Sequence, residues 1–338
     1  MTTTPDLALV GGWRGEGLLE LTADLSALDG RGRWVVVVPF DGEPVCARFE
    51  RWERWEPAAA LPRRGASSAA VPLSGWTSSL DRVAFAKGVT AIREAIAAGD
   101  VYQVNLCRRL SCEVADGFDV VGFGQALLAA HPAPHGAVVS LPSAGVMVAS
   151  ASPERFLRRD GRTIESRPIK GTAATPQGFT DKDRAENVMI VDLVRNDLGR
   201  VCEYGSVSVP GLCEVEPHPG LFHLVSTVRG RLRADVGWPE LVDATFPPGS
   251  VTGAPKLAAL DVISKLEPVP RGPYCGAVGW VDGDAGEGDL NVAIRTLWLG
   301  AGEVHLGTGG GITWGSTPAG EWEETELKAR RLLSVVSS

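Results

Sequence analysis

The chain has 338 residues, 44% of them hydrophobic and 22% charged, with a formal charge of −8, so it is sized for one large globular domain or two ordinary ones. That acidic balance and the lack of lysine-rich runs argue against nucleic acid or an anionic membrane as partner; an anionic substrate would require a locally positive site. Six scattered cysteines form no CxxC and no Cys/His metal pattern, no run approaches 18 apolar residues, and the first residues lack a basic and apolar leader. The expectation is a cytoplasmic protein with free thiols and no membrane span.

Residues 17–50 read as strands separated by turn clusters, and Trp34–Val38 is a short apolar run typical of a buried strand. Residues 57–75 are rich in Pro, Ala, Ser and Gly and read as a connector. Ser78 with Asp81 can form a capping box, and Phe85, Val89, Ile92 and Ile96 recur at helical spacing until Gly99 ends the helix.

VYQVNLCRRL follows and alternates, with Tyr102, Val104 and Leu106 on one face and Gln103, Asn105 and Cys107 on the other. A polar strand face means solvent or a site. Strand-like runs continue at 136–159 and 162–167, and the spacing predicts a helix over 181–196, capped by Thr180 with Asp183. The last third alternates strand and loop and closes with a helix from Glu321 to about Val336. Strands and helices without a regular βαβ rhythm indicate α+β rather than a doubly wound sheet.

Several stretches offer chemistry. Glu186 shares a stripe with Met189, Ile190 and Leu193 on a helix that is apolar around most of its circumference. A lone buried carboxylate is costly, so it needs a partner, and an arginine such as Arg184 or Arg195 serves as well as a metal ion. Glu324 lies off the core stripe of the final helix, and periodicity does not nominate it. HLGTGGGI is a glycine cluster after a strand that fits neither GxGxxG nor a P-loop; it is either a tight turn or a place where backbone N–H groups meet an anion. FPPGSVTGAPK reads as a rigid loop, and Arg295 sits in an otherwise apolar strand, where a guanidinium meets a carboxylate of protein or ligand. No GxSxG, HExxH or nucleophilic cysteine context is present.

Taken together and in order, YQVNL (102–106), SPERF (152–156), PIKGT (168–172), ENVMIVDLVRNDLGR (186–200), HLVSTVRG (223–230), FPPGSVTGAPK (246–256), YCGAVGW (274–280), LNVAIRT (290–296), GTGGGI (307–312) and EWEETELKA (321–329) resemble the chorismate-utilising enzymes. The resemblance spans about residues 76–338 and implies a catalytic domain over that range, preceded by a strand-rich segment with its connector over 1–75. The implied fold is α+β, with two large, mostly antiparallel sheets packed face to face and helices outside.

Within the family, PIKGT resembles the aminodeoxychorismate synthase component I branch, whose lysine is a covalent nucleophile; anthranilate synthases carry a small residue there. Isochorismate and salicylate synthases place a water-activating lysine where this chain has Gln103, an amide that cannot deprotonate water, left here among the substrate-facing residues. The resemblance further implies Mg²⁺ held by Glu186 and Glu324, and an enolpyruvyl carboxylate held by Arg295, Tyr274 and the N–H groups of Gly309 and Gly311. Thr252 would border the ring carboxylate, His223 would lie near the departing hydroxyl, Glu154 would protonate it and Lys170 would attack the ring. Ammonia would come from a separate glutamine amidotransferase subunit. Amination at C2, as in anthranilate or 2-amino-2-deoxyisochorismate synthases, is the rival, and a silent scaffold subunit is the rival of another class. The short N-terminal segment leaves a tryptophan pocket around residues 17–25 open.

Overall fold

The computed structural model describes residues 6–56, 75–115, 118–218 and 220–336. The expected connector at 57–75 falls almost wholly outside the described residues.

All strand pairs among the described residues are antiparallel, both the hairpins joined by short turns and the pairs between strands far apart in sequence. From the strand Ser208–His218 the ladder runs through Leu221–Arg231, the paired segments Thr163–Arg167 and Ile169–Ala173, Arg155–Asp160, Glu287–Val292 and Ala277–Asp282. It continues through the N-terminal strands Arg33–Val38, Val45–Arg54, Trp13–Thr22 and Leu7–Val10, then through His135–Leu141, Val146–Ser152, Thr296–Gly300, Glu303–Ile312 and Gln103–Glu113. The two expected layers are thus the halves of one folded-over ribbon, and the N-terminal strands form the fold line between them. Side chains of both halves share one core, with Val36, Val278 and Leu290 from one and Val139, Leu141 and Val148 from the other. Trp34 to Val38 is buried throughout, as a strand hydrogen-bonded on both sides and covered on both faces must be.

Helices cover the outside. Arg82–Ala98 and Lys256–Leu266 pack on the Gln103–Glu113 strand through Phe85, Val89, Ile92, Ala259 and Ile263. Asp81, not Ser78, caps the first of these: its carboxylate accepts from the Ala84 N–H, while the Ser78 hydroxyl donates to the Leu80 carbonyl. Asp181–Gly199 carries the expected Thr180/Asp183 capping box, and runs three residues past the expected end. The closing helix starts at Pro318, ahead of Glu321. No helix among the described residues is long and apolar enough to cross a membrane.

Candidate active site

Lys170 lies on a β-bulge. Ile169 pairs with Val225 and Thr172 with His223, so three steps on one strand oppose two on the other. Gly171 takes the extra turn at φ +84°, and a Cβ there would come to 3.0 Å from the Asp183 side chain. That is the local reason for a glycine after the lysine: the bulge re-aims Lys170 inward. Its amine donates to the Ser250 carbonyl at 3.0 Å. Burial draws the lysine below its ordinary range, against the pull of Glu186, Glu154 and Glu324 and with the help of Lys328.

Glu154 is 3% exposed. Burial raises its carboxyl to about 7, tempered by a hydrogen bond with Ser250 and by Lys170. Ser250 therefore touches both groups, its carbonyl on the amine and its hydroxyl on the acid. Two buried ion pairs hold the loop that presents it. Lys256 binds Asp197 at 2.7 Å and the Thr245 carbonyl at 2.9 Å; Arg271 binds Glu267 at 2.7 Å and donates to the carbonyls of Val251 and Asn105. The Thr252 hydroxyl donates to Pro248 and Gly249 carbonyls of the same loop, and its own carbonyl accepts from Asn105.

The polar face of the Gln103–Glu113 strand looks into this site and away from solvent: Gln103, Asn105 and Cys107 are 1%, 6% and 3% exposed. The glycine cluster lies inside a strand, which corrects the turn reading, with Gly309 opposite Cys107 and Gly311 opposite Asn105. Cys107 N–H bonds Glu267 and Asn105 N–H bonds Thr252, both on the far edge of their strand. In an antiparallel ladder these are then non-hydrogen-bonded pairs, so the N–H groups of Gly309 and Gly311 point to the opposite edge. Beyond Leu306 that edge has no strand partner among the described residues. A Cβ on Gly311 would sit 2.0 Å from Gln103 Nε2 and 3.5 Å from Lys170 Nζ, which brings these three together and explains glycine there. A Cβ on Gly307 would strike the Tyr274 ring at 2.0 Å, which places Tyr274 beside the same strand.

Arg295 is not inside a strand, as the sequence suggested. It occupies the break between Glu287–Val292 and Thr296–Gly300 with φ +52°, a left-handed conformation that ends the ladder. It lies close enough to His223 to help burial lower the imidazole to about 4, with His218 adding to the effect. His223 is 1% exposed; Thr172 Oγ1 meets its Nδ1 at 3.0 Å, and its Nε2, like Gln103 Oε1, has no protein partner. These two buried polar atoms are therefore left available to a polar ligand.

Glu186 is approached by Lys182 at 3.6 Å, not by either expected arginine; Arg195 binds Asp192. Burial raises Glu186, offset by Lys170 and Lys182. Glu324 is 53% exposed and paired with Lys328 at 2.7 Å; burial works to raise it, and Lys328, Lys182 and Lys170 outweigh that and hold it low. Sequence reasoning missed Glu321, which precedes Glu324 by one helical turn and accepts a hydrogen bond from Ser316. It also missed Ser250 and Thr172, whose motifs were noted but whose contacts no spacing reveals. Among the described residues no three His, Cys, Asp or Glu side chains already form a metal-ligand group. The two carboxylates do supply the hard oxygen donors that Mg²⁺ takes, and their present counter-charges sit on long flexible lysines.

This geometry sits in a known family. Residues 12–334 match the chorismate binding enzyme family. Aminodeoxychorismate synthase component 1 of Klebsiella aerogenes is 41% identical over 277 residues, 78% of this chain and 60% of that protein. Anthranilate synthase component 1 of Streptomyces coelicolor is 40% identical over 306 residues, 86% of this chain and 59% of that protein. Anthranilate synthase component I of Streptococcus pneumoniae superposes with a TM-score of 0.76 at 25% identity, covering 90% of this chain and 81% of that one. The chain belongs to the chorismate binding enzymes. It spans about 60% of the length of the curated relatives just named.

Proposed function

We propose that this chain is the chorismate-aminating component of an aminodeoxychorismate synthase, working in the cytoplasm with ammonia from a separate glutamine amidotransferase. The observation that carries the reading is the Lys170 amine turned inward onto Ser250, beside the acid Glu154 and the amide Gln103. A surface lysine would have neither contact.

Chorismate's enolpyruvyl carboxylate would be held by the Gly309 and Gly311 N–H groups, Arg295 and Tyr274, with Thr252 bordering the ring carboxylate. Glu186 and Glu324 would hold Mg²⁺, with Lys182 and Lys328 swinging aside. Bound there, the metal would draw electrons from the ring through its carboxylate. Lys170, made a better nucleophile by burial, forms a bond to C2 as the C4–O bond breaks; Glu154 gives its proton to the departing hydroxyl, with His223 Nε2 nearby. Ammonia then bonds to C4 and expels the lysine, and its surplus proton returns to Glu154. Two allylic displacements place the amine at C4.

The test is product analysis by mass and ultraviolet spectrum after incubation with chorismate, Mg²⁺ and ammonium ion. The expected product is 4-amino-4-deoxychorismate, and Lys170→Ala should lower its formation by about 10³-fold or more. Unchanged turnover in that variant would refute the nucleophile. The Streptomyces relative named for anthranilate synthesis, which matches more of this chain than the Klebsiella protein, favours a second reading with amination at C2. A C2 amine would establish it, and no consumption of chorismate would leave a scaffold subunit.

A further inference from the structure

Thr172 and His223 are cross-strand partners at the end of the bulge that carries Lys170, and Thr172 Oγ1 lies 3.0 Å from His223 Nδ1. The imidazole also donates to the Gly171 carbonyl. Nε2 has no partner in the protein, so the donor is Nδ1, and a carbonyl can only accept. Burial, Arg295 and His218 keep the ring neutral, so it carries a single N–H, and that N–H is on Nδ1. The ring is also held in place from either side. His218 meets it edge-on at 4.4 Å, and Asn187 donates at 3.0 Å to the carbonyl of Leu224, the next residue along the strand. What remains is a bare lone pair on Nε2 of a side chain that is fully buried.

We propose that Gly171 and Thr172 hold His223 as its Nδ1–H tautomer, and that the bare Nε2 accepts a hydrogen bond from ammonia as ammonia bonds to the ring of chorismate. The inference deepens the amination reading above and rests on it. A buried acceptor without a donor is costly, which favours a ligand that brings an N–H or O–H. The carboxylates of chorismate bring neither. The departing C4 hydroxyl needs a proton, and a bare nitrogen has none to give; in the amination reading that proton comes from Glu154. Ammonia carries N–H bonds and a lone pair, and engaging one N–H at Nε2 leaves the lone pair free to face carbon. The lone pair then forms the C4–N bond, the ring double bonds shift back, and the C2–N bond to Lys170 breaks with its electrons returning to the amine. The incoming nitrogen turns cationic as its bond forms, so its N–H···Nε2 bond strengthens toward the transition state. Its surplus proton goes to the Glu154 carboxylate, because an imidazole lowered to about 4 orients the nucleophile without keeping its proton. Thr172 is thus a positioning residue, and His223 is the group that touches the nucleophile.

The experiment has two arms. In protein labelled with ¹⁵N-histidine, without chorismate or ammonia, the imidazole nitrogens of His223 are assigned by their loss in His223→Asn or their shift in Thr172→Val. Wild type near neutral pH should show Nδ1 protonated and Nε2 unprotonated, and a protonated Nε2 would overturn the proposal even if His223→Asn fails to fold. The second arm is steady-state kinetics with ammonium salts as the nitrogen source. His223→Asn keeps an amide at the Nδ1 position and deletes the acceptor at Nε2. Its kcat/KM for ammonium should fall about tenfold and that for chorismate less than about threefold, because the two report on steps after and before the lysine adduct. Thr172→Val should lower the ammonium value by about threefold, and Thr172→Ser should restore it. No fall for ammonium beyond that for chorismate would overturn the proposal, and a fall for chorismate alone would assign Nε2 to the departing hydroxyl. Wild type judges the amination reading separately. A C2 amine from wild type would end the C4 reading, while the ammonium-specific loss in His223→Asn would still uphold Nε2 as the acceptor for ammonia; no amination by wild type would end both.

Discussion

The floor of the site and its rim treat carboxylates in opposite ways. On the floor, Glu154 is buried against Ser250 and its carboxyl is raised to about 7; on the rim, Glu324 is half exposed among three lysines and held below its usual range. Both face the same lysine at 170, so the difference comes from solvent and neighbours and not from residue type. A buried carboxyl raised to about 7 can still carry a proton near neutrality and donate it. An exposed carboxylate among ammonium groups stays ionised and can bind a cation. One site thereby holds a carboxyl that titrates near neutrality and a carboxylate that stays ionised.

The largest test of that contrast is Glu154→Gln, which keeps the hydrogen-bonding shape but cannot give up a proton. Steady-state amination should fall by about 10²- to 10⁴-fold with little change in the chorismate KM. A loss below fivefold would make floor and rim alike. Next, Glu186→Gln and Glu324→Gln should each weaken the Mg²⁺ response on the order of 10²-fold, read by titrating the metal, while Glu154→Gln should leave it nearly unmoved.

A third test uses stability. The folded carboxyl of Glu154 lies above its ordinary value of 4.5, so the native state binds the extra proton between about 4.5 and 7. Its contribution to stability is fully present below about 4.5, is lost as pH rises to about 7 and stays lost above. Chemical unfolding of wild type and Glu154→Gln across that window should show the variant gaining relative stability by up to a few kcal/mol, then a constant gap. A gap that does not vary with pH would mean Glu154 is not held protonated. The smallest effect belongs to the rim: Lys328→Met removes an exposed counter-charge from Glu324 and should tighten Mg²⁺ binding by about two- to threefold, measured by calorimetry.

Much of this protein is legible in its residues. The apolar run Trp34–Val38, the Thr180/Asp183 cap, the alternation around Gln103 and the α+β class follow from local pattern, because side-chain periodicity and capping depend on neighbours in sequence. The Lys170 loop could be singled out by composition, yet its direction could not. A bulge is visible only when the partner strand, some fifty residues away, is in register beside it. Arg295 was misread for the same reason: an apolar context predicts a strand, and the backbone break that turns it toward His223 comes from tertiary packing.

Sequence alone thus fixed which groups this chain carries and where each helix or strand tends to begin, since those preferences are settled within a few bonds. Whether a given carboxyl keeps its proton, and which way one amine points, was decided only when strands from distant stretches closed over them. Charge and proton affinity answer to water and to near neighbours in space, and the folded ribbon alone assigns those.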